Sequence, residues 1–91
     1  MIIVAGRLRV AAPDRERFLA LSGEAVRLAR ATPGCHDFAV SADPLDPERI
    51  NVYERWADRA VLHAFRGDGP AGELDTLITG ADIEEFEVTD E

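Results

Sequence analysis

Side chains that can transfer protons or orient a ligand lie close together in the middle of this chain: Asn51, Glu54, Trp56 and His63. A carboxylate in an apolar setting can act as a general base, because burial disfavours its charged form and moves its pKa towards neutrality. An imidazole titrates near neutral pH, and an indole N–H can orient a ligand oxygen. We therefore interpret Trp56, Glu54 and His63 as catalytic candidates.

Each candidate also has a structural interpretation, and the sequence leaves both open. Trp56 can fill the end of a small core, while Glu54 can pair with an arginine or cap backbone N–H groups. His63 can be a structural or solvated helix residue. Asn51 can hydrogen-bond a ligand oxygen, or it can be a polar residue at a strand edge or an interface.

The strand that carries most of these candidates is predicted over residues 48–56. Its alternation puts Val52, Glu54 and Trp56 on one face and Asn51 on the other. Asn51 would reach the face of Glu54 only through a β-bulge. A helix is predicted to begin at Ala57 or Asp58, with Asp58 as its N-cap, and it carries His63.

The rest of the chain supplies the elements that position this strand. The pattern predicts strands at Ile2–Val10, Cys35–Ala42 and 82–89, and helices at 14–31 and 71–78, the latter ended by Gly80. The positions that recur at helical spacing on the first helix, and are predicted to pack on the sheet, are Phe18, Leu21, Ala25, Leu28 and Ala29. The second strand is predicted to have His36, Phe38, Val40 and Ala42 on one face. The order β-α-β-β-α-β predicts one ferredoxin-like α+β domain over residues 1–91, with a four-stranded antiparallel sheet and helices on one face. The open sheet face predicts a homodimer.

Composition excludes several classes of function. The chain has 18 acidic and 10 basic side chains and a net charge of −8, which argues against binding to nucleic acid or to anionic membranes. One cysteine, Cys35, excludes an intrachain disulfide, and the short apolar runs predict no transmembrane helix and a cytoplasmic protein. There is no phosphate-binding glycine motif and no zinc spacing, so we expect neither metal nor other cofactor.

Several motifs together resemble the antibiotic biosynthesis monooxygenase family: Thr32-Pro33-Gly34-Cys35, Asp43-Pro44, Asp46-Pro47, Tyr53-Glu54-Arg55-Trp56 and residues 60–63. The resemblance implies a dimeric α+β barrel. It also implies, for enzymatic members, oxidation of polycyclic phenols to quinones by molecular oxygen without metal or flavin. The family's functional Asn lies four residues before the Trp. This chain has Val52 there, with Asn51 one residue earlier.

The sequence and the resemblance together predict a cofactor-independent monooxygenase that acts on a small aromatic or phenolic substrate with O2. The predicted substrate-binding residues are Val52, Phe65, Phe18, Phe38 and Asn51. Two alternatives remain: a dimeric small-molecule-binding or accessory protein without turnover, and a cofactor-free isomerase.

Overall fold

Four antiparallel strands form the frame of the molecule, and the helices cover one of its two faces. The computed structural model describes residues 1–67 and 73–89. The elements in chain order are β1 Ile2–Val10, a 3-10 turn Ala12–Asp14, α1 Arg15–Arg30, β2 Cys35–Ala42, β3 Arg49–Trp56, α2 Arg59–Arg66, α3 Glu73–Thr76 and β4 Ile78–Glu87. The strand order β2-β3-β1-β4 confirms the predicted ferredoxin-like arrangement. The expectation of one domain over residues 1–91 stays a prediction.

The core lies between the sheet and the helices, and the alternation of β1 and β3 builds most of its floor. A first buried cluster surrounds Trp56 and contains Ile2, Val4, Ala29, Phe38, Trp56 and Leu62. A second contains Val10, Phe18 and Ile50. Because side chains alternate across a strand, each of these strands buries every second residue against the helices.

The buried face of α1 differs from the predicted stripe at one position. Phe18, Ser22 and Ala29 are buried, whereas the side chain of Leu28 is 55% exposed. At 100° per residue, Ala29 lies about 20° from Phe18 around the helix, while Leu28 lies about 80° away. The prediction that Leu28 points into the core was therefore wrong.

An extra residue in β2 changes the face of His36. Cys35 pairs with Trp56 and Asp37 pairs with Arg55, so His36 has no partner of its own and forms a bulge. The bulge turns Cys35 towards the core, where it packs against the cluster around Trp56, and leaves His36 exposed. The predicted shared face of His36 and Phe38 was wrong, because the alternation is interrupted between them.

The C-terminal half matches the expected elements but not all their bounds. Asp58 is the N-cap of α2, since its Oδ1 accepts a hydrogen bond from the Val61 N–H at 2.9 Å. β4 begins at Ile78, so Gly80 lies inside a strand and does not end a helix, because Arg9 and Val10 offer partners for these residues. Of the predicted helix 71–78, positions 71 and 72 lie outside the described residues. In the described part of the chain, no helix is long and apolar enough to cross a membrane.

The position of Gly6 in β1 requires a glycine, and this requirement can be tested. Its φ is +153°, and a Cβ there would lie 2.1 Å from the carbonyl oxygen of Asp82. We expect Gly6→Ala to lower the free energy of unfolding by more than about 1 kcal/mol. Gly23→Ala is the matched control: Gly23 is exposed within α1 with no neighbour in reach, so alanine there should raise stability by about 0.5–1 kcal/mol. Urea unfolding measures the free energy of unfolding of both variants. A Gly6→Ala protein as stable as wild type would contradict the expectation.

Candidate active site

The carboxylate of Glu54 lies among apolar side chains because of its position in the centre of the sheet. In the strand register, Glu54 pairs with Val4 of β1 on one side and with Phe38 of β2 on the other. Trp56, two residues further along the same face, is fully buried. Its Nε1–H donates a hydrogen bond of 2.9 Å to Oε1 of Glu54.

This environment shifts the protonation of Glu54. Burial raises the pKa of the Glu54 carboxyl above its ordinary value of 4.5, because the charged form loses hydration. The Trp56 N–H and the positive charge of Arg66 favour the carboxylate and oppose this shift, while the negative charge of Glu85 adds to it. The net effect is a raised pKa, so Glu54 exchanges its proton closer to neutral pH than an exposed glutamate does.

Glu54 opens onto a cavity of about 480 Å³ between the sheet and the helices. This volume lies in the range of small-molecule sites. Three of the described lining residues are polar: Ser22 from α1, Glu54 from β3 and Arg66 from α2. The other lining side chains are apolar, and they are Leu8, Phe18, Ala25, Phe38, Val40, Val52, Phe65, Leu74, Ile78 and Ile83.

The sheet register places Val40, Val52, Gly6 and Ile83 in one row across the four strands. Three of these residues, Val40, Val52 and Ile83, line the cavity. A Cβ on Gly6 would meet the backbone of Asp82 and Ile83, so the close approach of β1 and β4 requires a glycine at this place in the row.

Trp56 supports the cavity wall from behind and is not among the described residues that line it. Its ring lies 5.1 Å from that of Phe65 and 6.2 Å from that of Phe38, and the two phenylalanine rings are 5.8 Å apart. The three aromatic rings thus form one packed group. Trp56 acts on the cavity through Phe38, Phe65 and its hydrogen bond to Glu54.

The structure brings together most of the residues selected from the sequence, but not all. Val52, Phe65, Phe18 and Phe38 line the cavity with Glu54. His63 is exposed on α2 and lies outside the described lining. The roles of all these residues in binding or catalysis stay predictions.

Asn51 lies on the other face of the sheet. β3 pairs with β1 residue by residue over its whole length, so no bulge turns Asn51 towards the cavity. Its side chain accepts a hydrogen bond from Nε of Arg49 and donates one to Asp43. In this arrangement it holds the end of the β2–β3 hairpin.

Sequence reasoning missed two polar residues of the cavity, Ser22 and Arg66. Ser22 lies four residues after Phe18, so helical spacing could have placed it on the buried face. A polar residue such as serine does not add to an apolar stripe, so the pattern did not select it. Its Oγ–H donates to the carbonyl oxygen of Leu19 at 2.9 Å, which leaves the oxygen lone pairs available as acceptors. No sequence signal distinguished Arg66 from the other arginines of the helices.

The arrangement is suited to removing a proton from a weakly acidic group in an apolar ligand. Glu54 can accept the proton, and Ser22 can accept a hydrogen bond from a second donor on the ligand. Apolar walls displace water from around a bound ligand and so strengthen its electrostatic contacts with the site. Among residues 1–67 and 73–89, no three His, Cys, Asp or Glu side chains converge as metal ligands.

The raised pKa of Glu54 predicts how stability depends on pH. The unfolded chain releases this proton near the ordinary value of 4.5, whereas the folded protein keeps it to higher pH. The contribution of Glu54 to stability is therefore complete below about pH 4.5 and is lost as pH rises through the folded-state pKa. We expect wild type to lose stability relative to Glu54→Gln over this interval, as measured by urea unfolding at a series of pH values. A constant difference between the two proteins would contradict the expectation.

Comparisons with solved structures agree with the fold. A crystal structure from Deinococcus radiodurans, provisionally named an antibiotic biosynthesis monooxygenase, has a TM-score of 0.80 at 19% identity and covers 100% of this chain and 95% of its own. A Bacteroides thetaiotaomicron protein of unknown function has a TM-score of 0.83 at 20% identity and covers 96% of each chain. At these identities the likeness establishes the fold.

The sequence comparisons identify one family. An uncharacterized protein from Synechocystis sp. is 33% identical over 61 residues, which are 67% of this chain and 42% of that protein. The chain thus spans less than half the length of this curated relative. The model of the antibiotic biosynthesis monooxygenase family matches residues 1–71. Because that match covers most of the chain, the protein belongs to the antibiotic biosynthesis monooxygenase family, as its motifs predicted.

Proposed function

We propose that this protein is a cofactor-independent monooxygenase that oxidises a small phenolic aromatic compound to a quinone with molecular oxygen. The observation that carries the proposal is a half-buried carboxylate, Glu54, which faces an apolar cavity and is held by the indole N–H of Trp56. Membership of the family supports the same class of reaction.

In this proposal Glu54 removes the proton from the phenol of the substrate. The electron-rich phenolate transfers one electron to O2, and the resulting radical and superoxide combine at a ring carbon that carries hydrogen. Protonated Glu54 returns its proton to the peroxide anion formed in this way, which restores the carboxylate, and the resulting hydroperoxide loses water to give the quinone. One oxygen atom ends in the quinone and the other in water, so the substrate supplies all the electrons that O2 needs.

The protein's contribution is to bind the substrate, to orient it and to remove its phenolic proton. A base works best when its pKa lies near the working pH, and the burial of Glu54 moves its pKa in that direction. Trp56 is a positioning residue, because it orients the carboxylate and lies behind the lining. Phe18, Phe38 and Phe65 form the walls against which an aromatic ring can pack. His63 lies outside this cavity lining, so the proposal assigns the proton transfer to Glu54 alone.

Oxygen uptake with a panel of hydroxylated polycyclic aromatics tests this proposal. We expect consumption of O2, incorporation of one of its atoms into the product, and a loss of turnover of about 10²-fold or more in Glu54→Gln. Tyr53→Phe is the matched control. It changes a neighbouring residue of the same strand on the opposite face, and we expect it to keep turnover.

The same assay separates the alternatives. Conversion that continues without oxygen would identify an isomerase, and binding without conversion would identify an accessory protein. Either result would overturn the proposed reaction, as would full turnover in Glu54→Gln.

We further propose that the open sheet face pairs with a second copy of the chain. The side chains of Tyr53 and Phe86 are 38% and 47% exposed on this face, and Ile3, Ala5 and Ala39 lie beside them in the register. An apolar patch of this kind in a small domain favours association. Charged pairs such as Arg7–Asp82 lie towards the other end of the face and would give the contact its orientation.

A charge on this face should break the dimer. We expect Tyr53→Glu to weaken association by more than about tenfold, because an unpaired charge in an interface costs several kcal/mol. Leu28→Glu is the control, since Leu28 is also an exposed large apolar residue but lies on the helix side. Sedimentation velocity over a range of concentrations measures both variants. A wild-type monomer, or equal association of Tyr53→Glu and wild type, would contradict the proposal.

A further inference from the structure

Two arginines of α2 share one carboxylate of β4 beside the cavity. Arg59 Nη1 donates to Oε1 of Glu85 at 2.7 Å, and Arg66 Nη1 donates to Oε2 of the same residue at 2.9 Å. The two arginines are seven residues apart, which is about two helical turns, so they lie on the same side of α2. Two positive charges thus face one negative charge within the cluster, a surplus of one positive charge that Glu54, which also senses Arg66, offsets in part when it is ionised.

This surplus is opposite in sign to the molecule as a whole. The chain carries a net charge of −8, so its overall field repels anions. A cationic group is therefore needed locally if an anionic ligand is to enter the cavity. Arg66 is in the right place, because it lines the cavity, whereas Arg59 is not among the described lining residues.

The chemistry of Arg66 allows it to hold Glu85 and a ligand together. A guanidinium carries five N–H donors in a planar fork, and the bond to Glu85 uses Nη1. The Arg66 side chain is 40% exposed, and an ion pair at such a surface contributes little to stability. The side chain can therefore turn towards a carboxylate in the cavity at little cost, and the fork matches a carboxylate in a bidentate manner.

Glu54 determines the orientation of such a ligand in the cavity. An anionic group beside Glu54 would be repelled whenever Glu54 is ionised. A hydroxyl group can donate to Glu54, and a carboxylate can bind Arg66. The cavity that these two residues line is otherwise mostly apolar, which is suited to an aromatic ring.

We propose that Arg66 is an anion-binding residue of the cavity and that the natural ligand is a hydroxyaromatic carboxylate, with its hydroxyl at Glu54 and its carboxylate at Arg66. The inference rests on the proposed function for the hydroxyl end of the ligand. The carboxylate end rests on the Arg59–Glu85–Arg66 cluster and on the position of Arg66 in the cavity wall.

Equilibrium binding of a matched ligand pair tests this inference. The probes are a hydroxynaphthoate and the naphthol that lacks its carboxylate, titrated without oxygen. Trp56 is the only tryptophan of the chain and packs against Phe65 of the cavity, so its fluorescence reports binding. We expect wild type to bind the hydroxynaphthoate about tenfold or more tightly than the naphthol, because a charge-assisted contact is added.

Two variants locate the contact. Arg66→Gln should remove the preference, because we expect it to lower the affinity for the hydroxynaphthoate about tenfold or more and to change the affinity for the naphthol little. Arg59→Gln is the matched control, since it also removes one positive charge and one ion pair with Glu85 but leaves the described cavity lining unaltered. We expect this variant to keep most of the preference for the hydroxynaphthoate.

Several results would overturn the inference. They are equal binding of the two ligands to wild type, binding of neither, and equal losses in Arg59→Gln and Arg66→Gln. Because no turnover is involved, the outcome is separate from the proposed reaction. A carboxylate preference without oxygen uptake would refute the reaction alone, and oxygen uptake without the preference would refute this inference alone.

Discussion

A carboxylate that lies between apolar side chains needs a hydrogen-bond donor, and for Glu54 that donor is the indole N–H of Trp56. Both residues come from β3, and both point to the face that the helices cover. Trp56 also fills the core beneath α2 and packs against Phe38 and Phe65. One contact therefore joins the packing of the core to the chemistry of the cavity. A shift of β3 by one residue would turn both side chains away from the helices together.

The two faces of β3 have separate tasks. Val52, Glu54 and Trp56 belong to the cavity and the core, whereas Asn51 and Tyr53 belong to the open face of the sheet. Because alternate residues point in opposite directions, a binding site and an association surface can be built on one strand of eight residues without competing for positions. The helix-covered face then supplies the proposed ligand environment, and the open face supplies the proposed contact with a second copy.

The cavity itself has an energetic meaning in a chain of this size. A 91-residue domain buries a modest core, and space left between sheet and helices lowers its stability. Here the space is lined by apolar residues and by one polar side chain from each of α1, β3 and α2: Ser22, Glu54 and Arg66. Three polar groups from three elements converge on the same volume only in the folded state. Such a set is suited to orienting one ligand in one direction.

The sequence by itself determined which residues of each element face inward wherever the local period was regular. The alternation of β1 and β3, the N-cap Asp58 and the opposite orientation of Asn51 and Glu54 were all predictable, because they depend on neighbours within a few residues. Only the tertiary structure decided that a bulge exposes His36, that Gly80 joins β4, and that Ser22 and Arg66 reach the cavity while His63 does not line it. These outcomes depend on register and packing between elements that are distant in the chain. A local period contains no information about the partner that another element will present.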